Sequence, residues 1–195
     1  MPKAKLPEKE KSPKARKTEL TVSRKPLLVD GKDEAFRQFV HDTLAFSARI
    51  EAVRNTLASV IGMAGAQYTI LISVAQEQGS NGIGINHIAE RLHYSAPFVT
   101  IEVNKLVASD LIEKRGNPDD RRRVLLTVTP KAKDLLNRLA AVQRPVNDML
   151  FSNLSASDFH RLRKKMSELV STADQALNLA DLMSSQVGRT LDRVG

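Results

Sequence analysis

"SAPFVTIEVNKLVASDLIEKRGNPDDRRRVLLTVTP", Ser95 to Pro130, is the stretch from which the fold can be read. It opens as a helix: Ser95 can accept a free N–H of the first turn, and Pro97 fits there because its missing N–H forfeits no ladder bond. At about 100° per residue, Val99, Val103 and Leu106 share one face. Pro97, Ile101, Asn104, Lys105 and Ala108 share the opposite face, which is small or polar. Leu111–Arg115 and Arg123–Val128 then read as two strands joined by a Gly-Asn-Pro-Asp-Asp turn. Arg121, Arg122 and Arg123 stand at and just beyond the hairpin tip. Thr129 and Pro130 begin the next helix as N-cap and first helical residue.

Upstream, "HIAERL" reads as a short helix that Asn86 is expected to cap, and "IGI" as a short extended pairing segment. "AQYTILISVAQEQ", Ala66–Gln78, is a helix stopped by "GSNG". Before it, Phe36, Val40, Phe46, Ile50, Val53, Leu57 and Val60 recur mostly at helical steps, and Gly62 and Gly65 break the pattern. Downstream, Leu135, Leu139, Val142, Val146 and Met149 extend a helix with a kink expected at Pro145. Ser155–Asp158 resembles a capping box. Phe159, Leu162, Met166 and Leu169 begin a last helix whose apolar pattern thins after Leu182. The expected fold class is mainly α with a small β-hairpin wing: a winged helix-turn-helix domain plus a helical dimerisation region.

Composition bounds the function. The 195 residues suit one domain with tails; they include no Cys, which excludes disulfides, thiolate metal sites and cysteine redox chemistry. No apolar run has bilayer-spanning length, and the basic N-terminus lacks a signal peptide's apolar middle, so no membrane partner and a cytoplasmic location are expected. Net charge is +8. Residues 1–32 hold ten Lys/Arg against four Asp/Glu, and the other 163 residues hold 20 against 18. Residues 114–123 concentrate five basic and two acidic side chains. Two cationic features on a balanced body point to a polyanion, and nucleic acid is the commonest one. The four histidines show no metal-ligand spacing, "GSNGIG" lacks the Gly-Lys-Ser/Thr of a phosphate loop, and no nucleophile–base constellation emerges. Neither an enzyme nor a cofactor is expected.

Short helix, tight turn, second helix and hairpin form a helix-turn-helix with a wing. Such a helix fits the B-form major groove with its N-terminal residues toward base edges, and the charged hairpin reaches phosphates or an adjacent minor groove. Residues 66–136 resemble the winged helix of the MarR family of bacterial transcription regulators. The resemblance is carried by "AQYTIL", "INHIAERL", "FVTIEVNKLVASDLIEKR" and, most specifically, "DDRRRVLLTVTPKAKDLL". The last is similar to the family's wing signature of Asp, any residue, Arg, then an apolar strand ending in Thr. Asp120 and Arg122 fall on its Asp and Arg, which implies that Arg122 enters the minor groove and Asp120 helps to hold it. Two departures bear on base preference: Ile101 and Glu102 stand where the family often has a basic then an apolar residue. Ala132 replaces a frequent Gly.

The domain expectation is a basic, disordered arm over 1–32 and a MarR-type domain over 33–183, followed by a tail over 184–195. Within the domain, 33–61 and 130–183 are dimerisation helices and 66–129 the winged helix. The expected DNA-binding residues are Ser95, Pro97, Phe98, Thr100, Ile101, Asn104, Lys105, Asp120, Arg121, Arg122 and Arg123. The resemblance also implies a small effector, an aromatic acid or its thioester, between the dimer helices and the winged helix; His41, Arg49 and Tyr68 are its candidate ligands. The expected function is a ligand-responsive repressor that reads a roughly palindromic double-stranded DNA operator as a homodimer. The competing reading is a nonspecific architectural DNA-binding protein, suggested by the basic arm.

Overall fold

The computed structural model describes residues 19–118, 120 and 122–191. Arg121, the first 18 residues of the expected arm and the last four of the expected tail lie outside these. Six helices are described: α1 (Glu34–Val60), α2 (Gly65–Glu77), α3 (Ile85–Leu92), α4 (Ala96–Ala108), α5 (Pro130–Leu150) and α6 (Ala156–Leu191). Three strands, β1 (Ile83–Gly84), β2 (Ile112–Gly116) and β3 (Val124–Val128), form an antiparallel sheet in the order β1-β3-β2. Two compact units divide at Leu135/Leu136.

The first unit is organised around α2. Tyr68, Ile70, Leu71 and Val74 of this helix are all withdrawn from solvent, as expected of a helix that is apolar on most of its circumference. Ile88 and Ala89 of α3, Val99, Val103 and Leu106 of α4, and Ile112, Leu126 and Val128 of the sheet complete the core. The inward face read for α4 is thus the buried one. At the α1–α2 junction the Asn55 carboxamide lies over Gly65, so that a Cβ there would overlap it.

Local chemistry fixes the element ends. Ser95 Oγ accepts from Phe98 N at 3.3 Å, and Thr129 Oγ1 accepts from Ala132 N at 3.1 Å while donating to Asp110 O at 2.9 Å. Asn86 does not cap α3. The helix starts two residues earlier because β1 runs straight into it, and Gly84 takes the N-cap position. In the hairpin, Ile112 pairs with Val128 and Gly116 with Val124, so each strand begins one residue later than the sequence pattern suggests. On the other side of β3, Ile83 faces Leu126 and Gly84 faces Leu125. Gly82 leads into this pairing at φ +82°, and a Cβ there would press on Leu126 O at 3.0 Å. Gln78, just past α2, accepts from Val128 N through Oε1 at 2.8 Å.

The stretch expected to continue a disordered arm acquires local structure from Thr21 onward. Thr21 donates both its N–H (2.7 Å) and its hydroxyl (2.6 Å) to Asp33 Oδ2. A 3-10 turn at Lys25–Leu27 and a Val29–Lys32 bridge follow. These bonds hold the Asp33 carboxyl below its ordinary value of 3.8, with a smaller contribution from Arg37 at 2.9 Å.

In the second unit, α5 remains helical through Pro145. The capping box forms: Ser155 Oγ accepts from Asp158 N (3.2 Å) and Asp158 Oδ2 accepts from Ser155 N (3.3 Å). Helix α6 continues through Leu191, so residues 184–191, expected as tail, belong to the helix. Nine of its large apolar side chains, from Phe159 to Met183, stay exposed in the single chain.

Candidate nucleic-acid interface

The turn between α3 and α4 is tight because His93 adopts a left-handed conformation (φ 53°) and Tyr94 N returns to Ala89 O at 2.9 Å. This presents α4 with Pro97, Phe98, Ile101, Asn104 and Lys105 outward, all exposed, and Thr100 half-buried. Thr100 donates its hydroxyl to Ala96 O of its own helix at 2.8 Å. Asn104 Oδ1 accepts from Lys114 Nζ across to β2. Lys105 Nζ lies 2.7 Å from Glu102 Oε1.

Glu102 is the unexpected member, only 7% exposed. Spacing could have revealed it, since Glu102 stands three residues after Val99 and four before Leu106, on the inward side. Lys114 could not have been found this way, because strand alternation does not say which helix residue its side chain will reach.

At the wing tip, Asp120 organises the turn. Its Oδ1 accepts from Arg122 N at 3.0 Å, its Oδ2 pairs with Arg123 Nε at 3.1 Å, and its carbonyl accepts from Arg123 N at 2.9 Å. Asp120 thus bonds to Arg122 through the backbone N–H alone, whereas the guanidinium it grips is that of Arg123. Arg123 nonetheless keeps 72% of its side chain exposed.

A cleft of about 400 Å³ brings Thr100, Arg122 and Arg123 together with Asn86 and His87 from the first turn of α3. His87 Nε2 is 3.0 Å from Glu77 Oε2, and Arg91 Nε is 3.5 Å from Glu77 Oε1. Sequence reading missed this cluster, because residues of α2 and α3 meet only in three dimensions. The cationic wing, the first turn of α3 and Thr100 of α4 thus border one cleft, which is suited to anionic groups.

The candidate effector residues are not gathered into one site. His41 and Arg49 lie exposed on α1, eight residues or about 12 Å apart along the axis. Arg49 donates to Ala45 O of its own helix at 2.8 Å. Tyr68 is fully buried, with its hydroxyl unpartnered and Arg54 5.2 Å above its ring. Burial pushes the Tyr68 phenol up, only partly offset by Arg54. Arg54, which also donates to Thr69 Oγ1 at 3.2 Å, is the neighbour that sequence reading did not anticipate.

Fold and site together define a winged helix-turn-helix protein. A family model described as MarR family matches residues 61–123. The chain is 22% identical over 139 residues to the uncharacterized HTH-type transcriptional regulator YhbI of Bacillus subtilis (strain 168), covering 71% of this chain and 88% of that protein. A crystal structure of a mutant MarR from E. coli complexed with operator DNA superposes with a TM-score of 0.55 at 19% identity, covering 70% of this chain and 94% of that one. A MarR transcriptional regulator from Methanosarcina mazei Go1 superposes with a TM-score of 0.58 at 16% identity, covering 71% and 98%. Residues 61–123 of this chain thus match the MarR family model, and the fold is that of the MarR-type winged-helix structures.

Proposed function

We propose that the protein is a transcription regulator that binds a specific, roughly palindromic DNA site as a homodimer. The observation that carries this reading is the joint presentation of α4's outward surface and the Asp120-braced arginine wing on one side of the first unit. In it, α4 enters the major groove, and Arg122 and Arg123 meet phosphates or the adjacent minor groove. Homodimerisation is supported by the exposed apolar residues of α1, among them Phe39 and Leu44, and by those of α6. Repression relieved by a small anionic effector is the finer reading. Its support is the buried, unpartnered hydroxyl of Tyr68, a polar group that gains from a new partner, on a ring that Arg54 covers.

Binding of the full chain to selected and scrambled duplexes across a salt series tests the proposal. A sequence-specific regulator prefers the selected duplex by about a thousandfold or more. An architectural binder instead gives a ratio near one, and its affinity collapses as salt rises.

A further inference from the structure

The outward face of α4 is apolar where hydrogen-bonding groups would ordinarily meet base edges. Ile101 is 54% exposed and Phe98 38%; three residues apart on a helix, they are surface neighbours. Tyr94, in the turn before α4, meets Phe98 edge-on with ring centroids 5.2 Å apart and planes at 80°. This contact braces the Phe98 ring in its outward position. Two polar groups of the same face have partners within the protein: Asn104 Oδ1 accepts from Lys114, and Lys105 donates to Glu102. In sequence, Lys105 is the single cationic residue between Ala96 and Ala108. The bidentate Arg or Lys contact to guanine, the commonest specific contact in the major groove, therefore has little to build on here. Thr100, the residue before Ile101, nonetheless lines a cleft with Arg122 and Arg123 of the wing. The matching surface is anionic at its rim and apolar at its floor. In the major groove of duplex DNA the apolar group on the floor is the 5-methyl of thymine.

We propose that Ile101 and Phe98, the latter braced by Tyr94, read thymine 5-methyl groups, so that adjacent thymines rather than guanines define each half-site. This rests on the DNA-binding reading above and adds to it the chemistry that is recognised. Ile101 and Phe98 are the specificity-determining residues, and Tyr94 positions Phe98.

The test uses the full chain and a random-sequence duplex library. Duplexes that survive selection are re-synthesised with thymine and with deoxyuridine, which pairs identically but lacks the methyl group. Each methyl buried in the complex contributes about fourfold in affinity, so two per half-site predict a loss of roughly two orders of magnitude for a dimer. Ile101→Ala, at an exposed position, should leave the melting temperature unchanged and shrink the thymine-to-deoxyuridine ratio. Equal affinity for the two selected duplexes overturns the thymine inference while leaving sequence-specific binding in place. A ratio unchanged by both Ile101→Ala and Phe98→Ala overturns the assignment to these residues. Failure of any sequence to enrich overturns the DNA-reading function itself, and the inference with it.

Discussion

Asp120 divides its carboxylate between two tasks, one oxygen holding the Arg122 N–H and the other the Arg123 guanidinium. Simple charge counting expects Asp120→Ala to tighten DNA binding, because it removes a negative charge from a cationic loop. The geometry predicts the reverse, since the turn that aims both arginines loses its brace. Asp120→Asn should fall between wild type and Asp120→Ala, because the amide can still accept the Arg122 N–H. Arg122→Ala should cost about 1–3 kcal/mol, and the double substitution should cost less than the sum of the two, as coupled neighbours do. Fluorescence anisotropy on a selected duplex measures all four. Tighter binding by Asp120→Ala would mean that the wing acts as a charge patch alone. The wing residues were legible in the sequence because turn chemistry is local. The identity of the gripped guanidinium was not, since Arg122 and Arg123 differ by one bond's reach around the same carboxylate.

Elements were legible where capping side chains and apolar period agreed. Ser95, Thr129 and Ser155 begin α4, α5 and α6 as their side chains suggest. Asn86 misled because the pairing of β1 with β3 decides where α3 starts, and that pairing spans more than forty residues. Thr129 offers a clean measurement: Thr129→Ala removes the α5 cap and a bond to Asp110, and should cost about 1–2 kcal/mol in chemical denaturation. A cost near zero would show that the cap is replaceable by solvent. The anchoring of Thr21 on Asp33 gives a pH-dependent counterpart. A folded-state value below the ordinary 3.8 means that the stabilisation is complete above that pH. It is lost as pH falls through the depressed folded value. The Thr21 amide resonance should therefore move in the acid range in wild type and stay flat in Asp33→Asn. Local order over 21–33 escaped sequence reading because one carboxylate, not an apolar pattern, creates it.

At the scale of the whole molecule, the apolar inventory predicts a dimer. Phe39 and Leu44 on α1, and Leu169, Leu177 and Leu182 among others on α6, are exposed in one chain. Apolar side chains left exposed in such numbers along a helix are characteristic of an interaction site. Sedimentation equilibrium at micromolar concentration should give twice the chain mass of 21.6 kDa. Leu169→Glu should shift the chain toward monomer, and a folded wild-type monomer at that concentration would exclude obligate dimerisation. The sequence made these stripes visible through their helical period. It did not reveal that α6 runs 36 residues, about 54 Å, because the apolar pattern thins after Leu182 and the last turns carry little periodic signal.

The two residues of β1 have a consequence for the kinetics of letting go. Ile83 and Gly84 lace the start of α3 to β3, and Gly82 passes so close to β3 that a Cβ there would press on Leu126 O at 3.0 Å. Wing and helix-turn-helix are therefore stitched into one small sheet. On the DNA-binding reading proposed above, a wing detached by thermal motion is kept by α4 within a few ångströms of the place it left, and the converse holds for α4. Each contact thus re-forms at a high effective concentration set by the other. Departure then requires near-simultaneous loss of both, so weakening either contact should shorten residence time far more than it slows arrival.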